Sequence, residues 1–191
     1  ISSSWTPVDL PGYTTFDGNR KKIFGTIRQP AEDAIDFGIF VGNPFFTLKN
    51  LTVSTAFEGI QGCRYLGGIV GYMDKGTIEN CTFDGTIRNS NTDKWPDIIG
   101  GLVGRATFGE GGGRIVNCNM TGTIEFDHPA NYIPPIGGIA GEVSMYLGES
   151  NALYLDGTVV GGELVEKNTG GTQPGIFFGQ AIQSIDVEGA D

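Results

Sequence analysis

One stretch recurs and fixes most of what the chain can be. It runs from Gly67 to Ile87, GGIVGYMDKGTIENCTFDGTI, and returns as GGLVGRATFGEGGGRIVNCNMTGTI at Gly100–Ile124. It returns again as GGIAGEVSMYLGESNALYLDGTV at Gly137–Val159. A first full copy begins at GIFVG, Gly38–Gly42, and continues into TLKNLTVS, 47–54. A last fragment, GIFFG, spans Gly175–Gly179. The closing glycines Gly42, Gly71, Gly104, Gly141 and Gly179 lie 29, 33, 37 and 38 residues apart. Periods of that size mark a solenoid or a propeller.

The blocks read as strands. GTIENCTFDGTI alternates and is rich in β-branched residues, with glycine at fixed places. No window keeps a 3.6-residue period, and 32 glycines in 191 residues oppose helix. Ile78, Cys81 and Phe83 align with Leu48, Leu51 and Val53, with Ile115, Cys118 and Met120, and with Leu153 and Leu155 of the fourth copy. Positions that stay apolar in every copy point inward. Asp84, Thr121 and Asp156 each precede glycine and mark a turn. The expected fold is all-β: a single-domain, right-handed parallel β-helix of about five coils. Residues 1–15 form an N-terminal cap, irregular or with one short strand, 16–179 the repeats and 180–191 a C-terminal cap. Stacking at ~4.8 Å per coil gives a rod roughly 25 Å long. One coil cannot bury its own apolar face, so stability comes from neighbours. Phe40, Ile69, Leu102 and Ile139 are expected to form one inward line. A propeller wants ~40 to 50 residues and four strands per blade, more than these copies supply.

The G-G-[ILF]-[VA]-G block, followed by G-T-I-x-N-C and D-G-T-I, resembles the GLUG repeat of bacterial extracellular proteins. The likeness covers roughly residues 16–179 and is clearest at Gly67–Gly71, Gly100–Gly104 and Gly137–Gly141. GIFVG and GIFFG lack the second glycine, as terminal coils do. The resemblance implies a right-handed β-helix in an exported bacterial protein with a role in surface attachment, extracellular or at the cell surface. It carries no catalytic residues.

Composition narrows the partners. The formal charge is −10, which disfavours nucleic acid and anionic membrane. No apolar run reaches the ~18 residues of a membrane helix. The chain opens at Ile1 with no visible signal peptide and reads as a mature form or an excised piece of a larger parent. The three cysteines, Cys63, Cys81 and Cys118, make neither a disulfide framework nor a metal spacing. Cys81 and Cys118 occupy equivalent places, but in-register strands hold Cβ atoms farther apart than a bridge prefers, so all three are read as free thiols. Asn50, Asn80 and Asn117 align as well. Asn50-Leu51-Thr52 and Asn80-Cys81-Thr82 match the glycosylation acceptor pattern, yet a ladder of amides along the axis is the better reading. The Gly-Gly pairs lack the Lys-Ser/Thr and the helix of a phosphate loop and are read as steric requirements of a tight corner.

No catalytic set, cofactor site or metal site is expected. His128 has no nucleophile to pair with, and the acidic residues do not align between copies. The chain is therefore read as non-enzymatic, with adhesive or structural work; a polysaccharide-binding or polysaccharide-cleaving β-helix is the alternative. Two sets of insertions are read as surface loops brought together by stacking: 88–99, 125–136 and 160–174, and 72–76, 105–113 and 142–150. They place Trp95, His128, Tyr132, Phe108 and Tyr146 as the candidate ligand-binding residues, for a glycan or a host protein.

Overall fold

The computed structural model describes residues 2–28, 35–60, 62–89, 96–108, 112–126, 134–146, 153–166, 175 and 178–184. Among these residues there are strands and no helix, and every strand pair is parallel. The strands form three walls of a β-solenoid.

The long wall stacks Thr15–Arg28, Phe46–Glu58, then Gly76–Phe83 with Thr86–Asn89. Gly113–Val116, Asn119–Met120 and Thr123–Phe126 form its next rung, and Leu153–Asp156, Val159–Val160 and Glu163–Glu166 the last. The short wall stacks Asp36–Phe37, Tyr65–Gly67, Ile98–Gly100 and Ile136–Gly137. The third wall stacks Val8–Leu10, Phe40–Gly42, Val70–Asp74, Val103–Phe108, Ala140–Tyr146 and Phe178–Ser184. From Asp36 to Gly137 the backbone winds about three full turns, fewer than the five coils expected. The last fragment supplies only a third-wall strand and a bridge at Gly175 among the described residues, so counting repeats overstates the turns. Residues 1–15 contribute two short strands, Ser2–Ser4 and Val8–Leu10, each extending a wall.

The interior is a set of apolar columns running along the axis. Leu48, Ile78 and Ile115 share one register, and Val53, Phe83 and Met120 another; all six are fully buried. Each rung offers only a narrow strip of apolar surface, which the rungs above and below cover. Cover fails at the last rung: Leu155 pairs with Ile115 but is 36% exposed.

One expected column needs correction. Phe40 pairs with Val70, and Val70 continues to Val103 and Ala140. The residue in line with Ile69, Leu102 and Ile139 is Ile39, and all four are fully buried. GIFVG has one glycine fewer than GGIVG, so alignment on the closing glycine slips by one residue. A register irregularity between Phe40 and Gly42 carries the slip further, so that Gly42 pairs with Met73 and not with Gly71.

The repeated glycines are set by close approach. A Cβ on Gly67, Gly100 or Gly137 would lie within 2.0 Å of the carbonyl oxygen three residues on. A Cβ on Gly71 or Gly104 would run into the short-wall backbone at Phe37 or Leu66, at 2.6 and 2.8 Å. The G-G-x-x-G spelling is thus the shape of a corner between the short and third walls.

Candidate functional site

Two corners of the solenoid hold left-handed backbone in successive coils, and they set the surface. The first bends the long wall at Asn50, Asn80 and Asn117, with φ of 56°, 52° and 51°, and closes at Gly157 with φ 58°. Asparagine tolerates this conformation because its short side chain bonds locally. Among the described residues the expected ladder is present between Asn50 and Asn80, not at Asn117: Asn80 Nδ2 donates to Asn50 Oδ1 at 3.2 Å, and Asn50 Nδ2 to Asp17 Oδ1 at 3.0 Å. The bond from Asn50 and another from the Asn19 amide hold the Asp17 carboxyl below its ordinary range.

The second corner lies where each third-wall strand leads into the long wall. It holds Tyr13, Phe45, Lys75 and Gly112 at φ 58°, 64°, 46° and 64°. A bulky aromatic in this region is a genuine outlier. Tyr13 is 83% and Phe45 37% exposed, and their rings stack 5.0 Å apart at 21°. Lys75 Nζ lies 5.5 Å from the Phe45 centroid. Thr47, Thr77 and Arg114 share the neighbouring outward register. Arg114 stands 4.3 Å over the ring of Tyr154, which is 45% exposed. Between Phe45 and Arg114 runs a depression of about 140 Å³, lined also by Thr47, Thr77, Gly76, Gly112 and Gly113. This exposed aromatic and cationic corner is the candidate site.

A second polar group braces the short wall against the third. Arg105 Nη1 donates to the Tyr65 hydroxyl, and its Nη2 to Ser144 Oγ at 3.3 Å. Arg105 Nε and Glu142 Oε1 approach to 2.8 Å as an ion pair, out of line for a hydrogen bond. Ser144 donates to the same carboxylate oxygen at 2.8 Å. The Tyr65 and Tyr72 rings stack at 5.9 Å. Burial pushes the Tyr72 phenol up. Burial also raises the Asp36 carboxyl, against the pull of Arg64 and Arg105, and its Oδ1 lacks a hydrogen-bond partner. Arg105 is committed to its neighbours, so this group binds the walls to one another and leaves no free acid–base pair.

The residues singled out from sequence fare differently. Trp95, His128 and Tyr132 lie outside the described residues. Tyr146 ends the strand Ala140–Tyr146, and its side chain is likewise outside them. Phe108 is a correction. It belongs to the strand Val103–Phe108, is fully buried, and its ring occupies the space a Cβ on Gly113 would need. The segments beginning at Tyr72, Arg105 and Glu142 were expected as loops and are third-wall strands, with Met73, Ala106 and Val143 turned into the core. VGRATF hides a strand because Val103, Ala106 and Phe108 break strict alternation and a glycine-rich stretch follows directly. Tyr13 and Phe45 were not singled out. Their signal is a shared phase, two residues before Thr15 and Thr47, where Lys75 precedes Thr77.

The three cysteines are free and buried. Cys81 and Cys118 donate to carbonyls: Cys81 Sγ to Glu79 O and Cys118 Sγ to Val116 O, both at 3.3 Å. Burial pushes the Cys63 thiol up to about 12. Among the described residues no three of His, Cys, Asp and Glu converge to hold a metal. No helix among them is long and apolar enough to cross a membrane.

Comparison with known proteins agrees with this architecture. Searches among curated proteins and among solved structures found no match. A family model described as the GLUG motif matches residues 62–88. That segment is one coil of the solenoid, carrying a strand on each of the three walls. The chain carries a GLUG motif on a β-solenoid, and this supports its assignment to the GLUG-repeat family.

Proposed function

We propose that this chain is a non-enzymatic module of an exported bacterial surface protein and that it works by attachment, to a glycan or to a host protein. The observation that supports this reading most is the Tyr13–Phe45 stack. Two large rings are held outward on left-handed backbone, where the fold itself would favour glycine or asparagine. Exposed rings on a rigid β scaffold give large contact area at small entropic cost. The Asn ladder and the apolar columns keep that scaffold in one shape.

The test is a glycan and extracellular-matrix protein array probed with the chain and with a Tyr13→Ala/Phe45→Ala double variant. The reading expects binding that the double variant loses while its strand content stays unchanged. Equal binding by both proteins contradicts the aromatic corner. Turnover of acidic polysaccharides by the purified chain, with or without calcium, would overturn the non-enzymatic part.

A further inference from the structure

We propose that the depression between Phe45 and Arg114 is a subsite for an acidic sugar: one ring packs against the Tyr13–Phe45 platform while its carboxylate meets Arg114 and Lys75. This rests on the reading of the chain as an attachment module and names the class of ligand.

Three features argue for it. First, the depression follows from one position in the corner column. Tyr13, Phe45 and Lys75 project side chains, but the next coil has Gly112, and the gap leaves the half-buried backbone of Gly112 as a floor, with the buried Gly113 also in the lining. A floor of bare backbone lets a ring approach closely. Its walls differ in kind: an aromatic face on one side, the Thr47 and Thr77 positions along it, and a guanidinium on the other. At about 140 Å³ it is smaller than the pockets that enclose drug-sized ligands, so a single ring would rest on it.

Second, the cations are available. On a chain of net charge −10, Arg28, Arg88, Lys22, Lys49 and Arg105 all have carboxylate partners. Among the described residues, Arg20, Lys21, Arg64, Lys75 and Arg114 form no ion pair, and of these Arg114 lines the depression while Lys75 lies over the ring of Phe45, which lines it too. Stacking on Tyr154 orients the guanidinium plane and leaves its in-plane donors for a two-pronged bond to a carboxylate. This corner sets such a cation beside an exposed aromatic ring.

Third, the surroundings suit a sugar. Aromatic faces bind the apolar faces of pyranose rings, whose hydroxyls then need donors and acceptors at the rim. Thr47 and Thr77 are half-exposed in the lining. An acidic peptide would satisfy the cations but makes poor use of a flat stacked platform.

The experiment is calorimetric titration of the chain with short oligogalacturonates, with the same oligomers after reduction of their carboxylates to alcohols, and with oligoglutamate. The expected result is binding of the uronate, weakened by salt, and weakened about tenfold by Arg114→Gln and by Phe45→Ala. Arg114→Lys, which keeps the charge but loses the fork, should fall between. Melting temperatures within a few degrees of the parent show that these variants fold. Equal affinity for the reduced oligomer overturns the carboxylate contact and leaves the attachment reading in place. Tighter binding of oligoglutamate overturns the sugar as occupant. Binding of none of the three overturns this proposal, and the array then decides the broader reading by itself.

Discussion

Two columns of the solenoid share one backbone conformation and are filled in opposite ways. At the bend of the long wall the left-handed residues of four successive coils are Asn50, Asn80, Asn117 and Gly157, types that conformation favours, while the first rung bulges opposite Asn50 with Asn19 and Arg20 at φ 49° and 58°. At the corner entering the long wall they are Tyr13, Phe45, Lys75 and Gly112. The first column repeats one solution, and its amides bond to one another along the axis. The second changes at every coil and includes two aromatics that the backbone disfavours by about 1–2 kcal/mol each. Where side chains follow the backbone's preference, the position explains itself by folding. Where they go against it, backbone preference does not account for the residue.

Predictions that break or sharpen this contrast differ widely in size. The reference point is the core, which belongs to neither column. Ile69→Asp puts a charge among fully buried residues in a column one side chain wide and should prevent folding, read as loss of the cooperative urea transition. Next is Asn80→Val, which forces a β-branched residue to φ 52° and removes the bond to Asn50. It should cost about 2–3 kcal/mol by urea denaturation, and Asn80→Gly should cost about 1 kcal/mol or less. A valine variant as stable as the glycine one would mean that the Asn column is not set by backbone conformation.

The same change at the other corner should behave differently. Phe45→Gly loses the Tyr13 stack but relieves the left-handed strain, so stability should move by no more than about 1 kcal/mol while ligand binding weakens about tenfold. A large loss of stability would place Phe45 with the structural column.

The smallest effect concerns the brace. Burial raises the Asp36 carboxyl above its unfolded value, so its contribution is fully present below the unfolded pKa near 4. That contribution is lost as pH rises through the folded pKa. Asp36→Asn removes the cost of a buried carboxylate with an unpartnered oxygen. A small rise in melting temperature is expected at pH 7 and none at pH 3. A fall at pH 7 would mean that attraction to Arg64 and Arg105 outweighs desolvation.

The repeat made most of the fold readable. Columns such as Leu48, Ile78 and Ile115 stand out because each coil must present an apolar residue at the same place, and Asn50 and Asn80 because each bend needs a left-handed residue. What was missed follows from the same logic. The slip at Phe40 arose because the first full copy drops a glycine, so that the closing glycines are not equivalent and Gly42 pairs with Met73. Phe108 reads as a loop residue because VGRATF does not strictly alternate and runs into GEGGG, yet its ring fills the space a Cβ on Gly113 would need. Tyr13 and Phe45 escaped notice because no two coils carry the same residue there. A repeat reveals what is common to its copies, and a binding surface lies in what differs.

The account rests on equivalent residues of successive coils standing one above another. Spin labels report this directly. Thr26, Thr123 and Glu163 lie in one outward register, with Thr123 three rungs and Glu163 four rungs from Thr26. Pulsed dipolar spectroscopy on the pairs 26/123 and 26/163 should give mean separations near ~14 and ~19 Å, broadened by the label linkers, one ~4.8 Å step apart. Separations beyond about 30 Å, or a 26/163 distance shorter than that of 26/123, would contradict the stack.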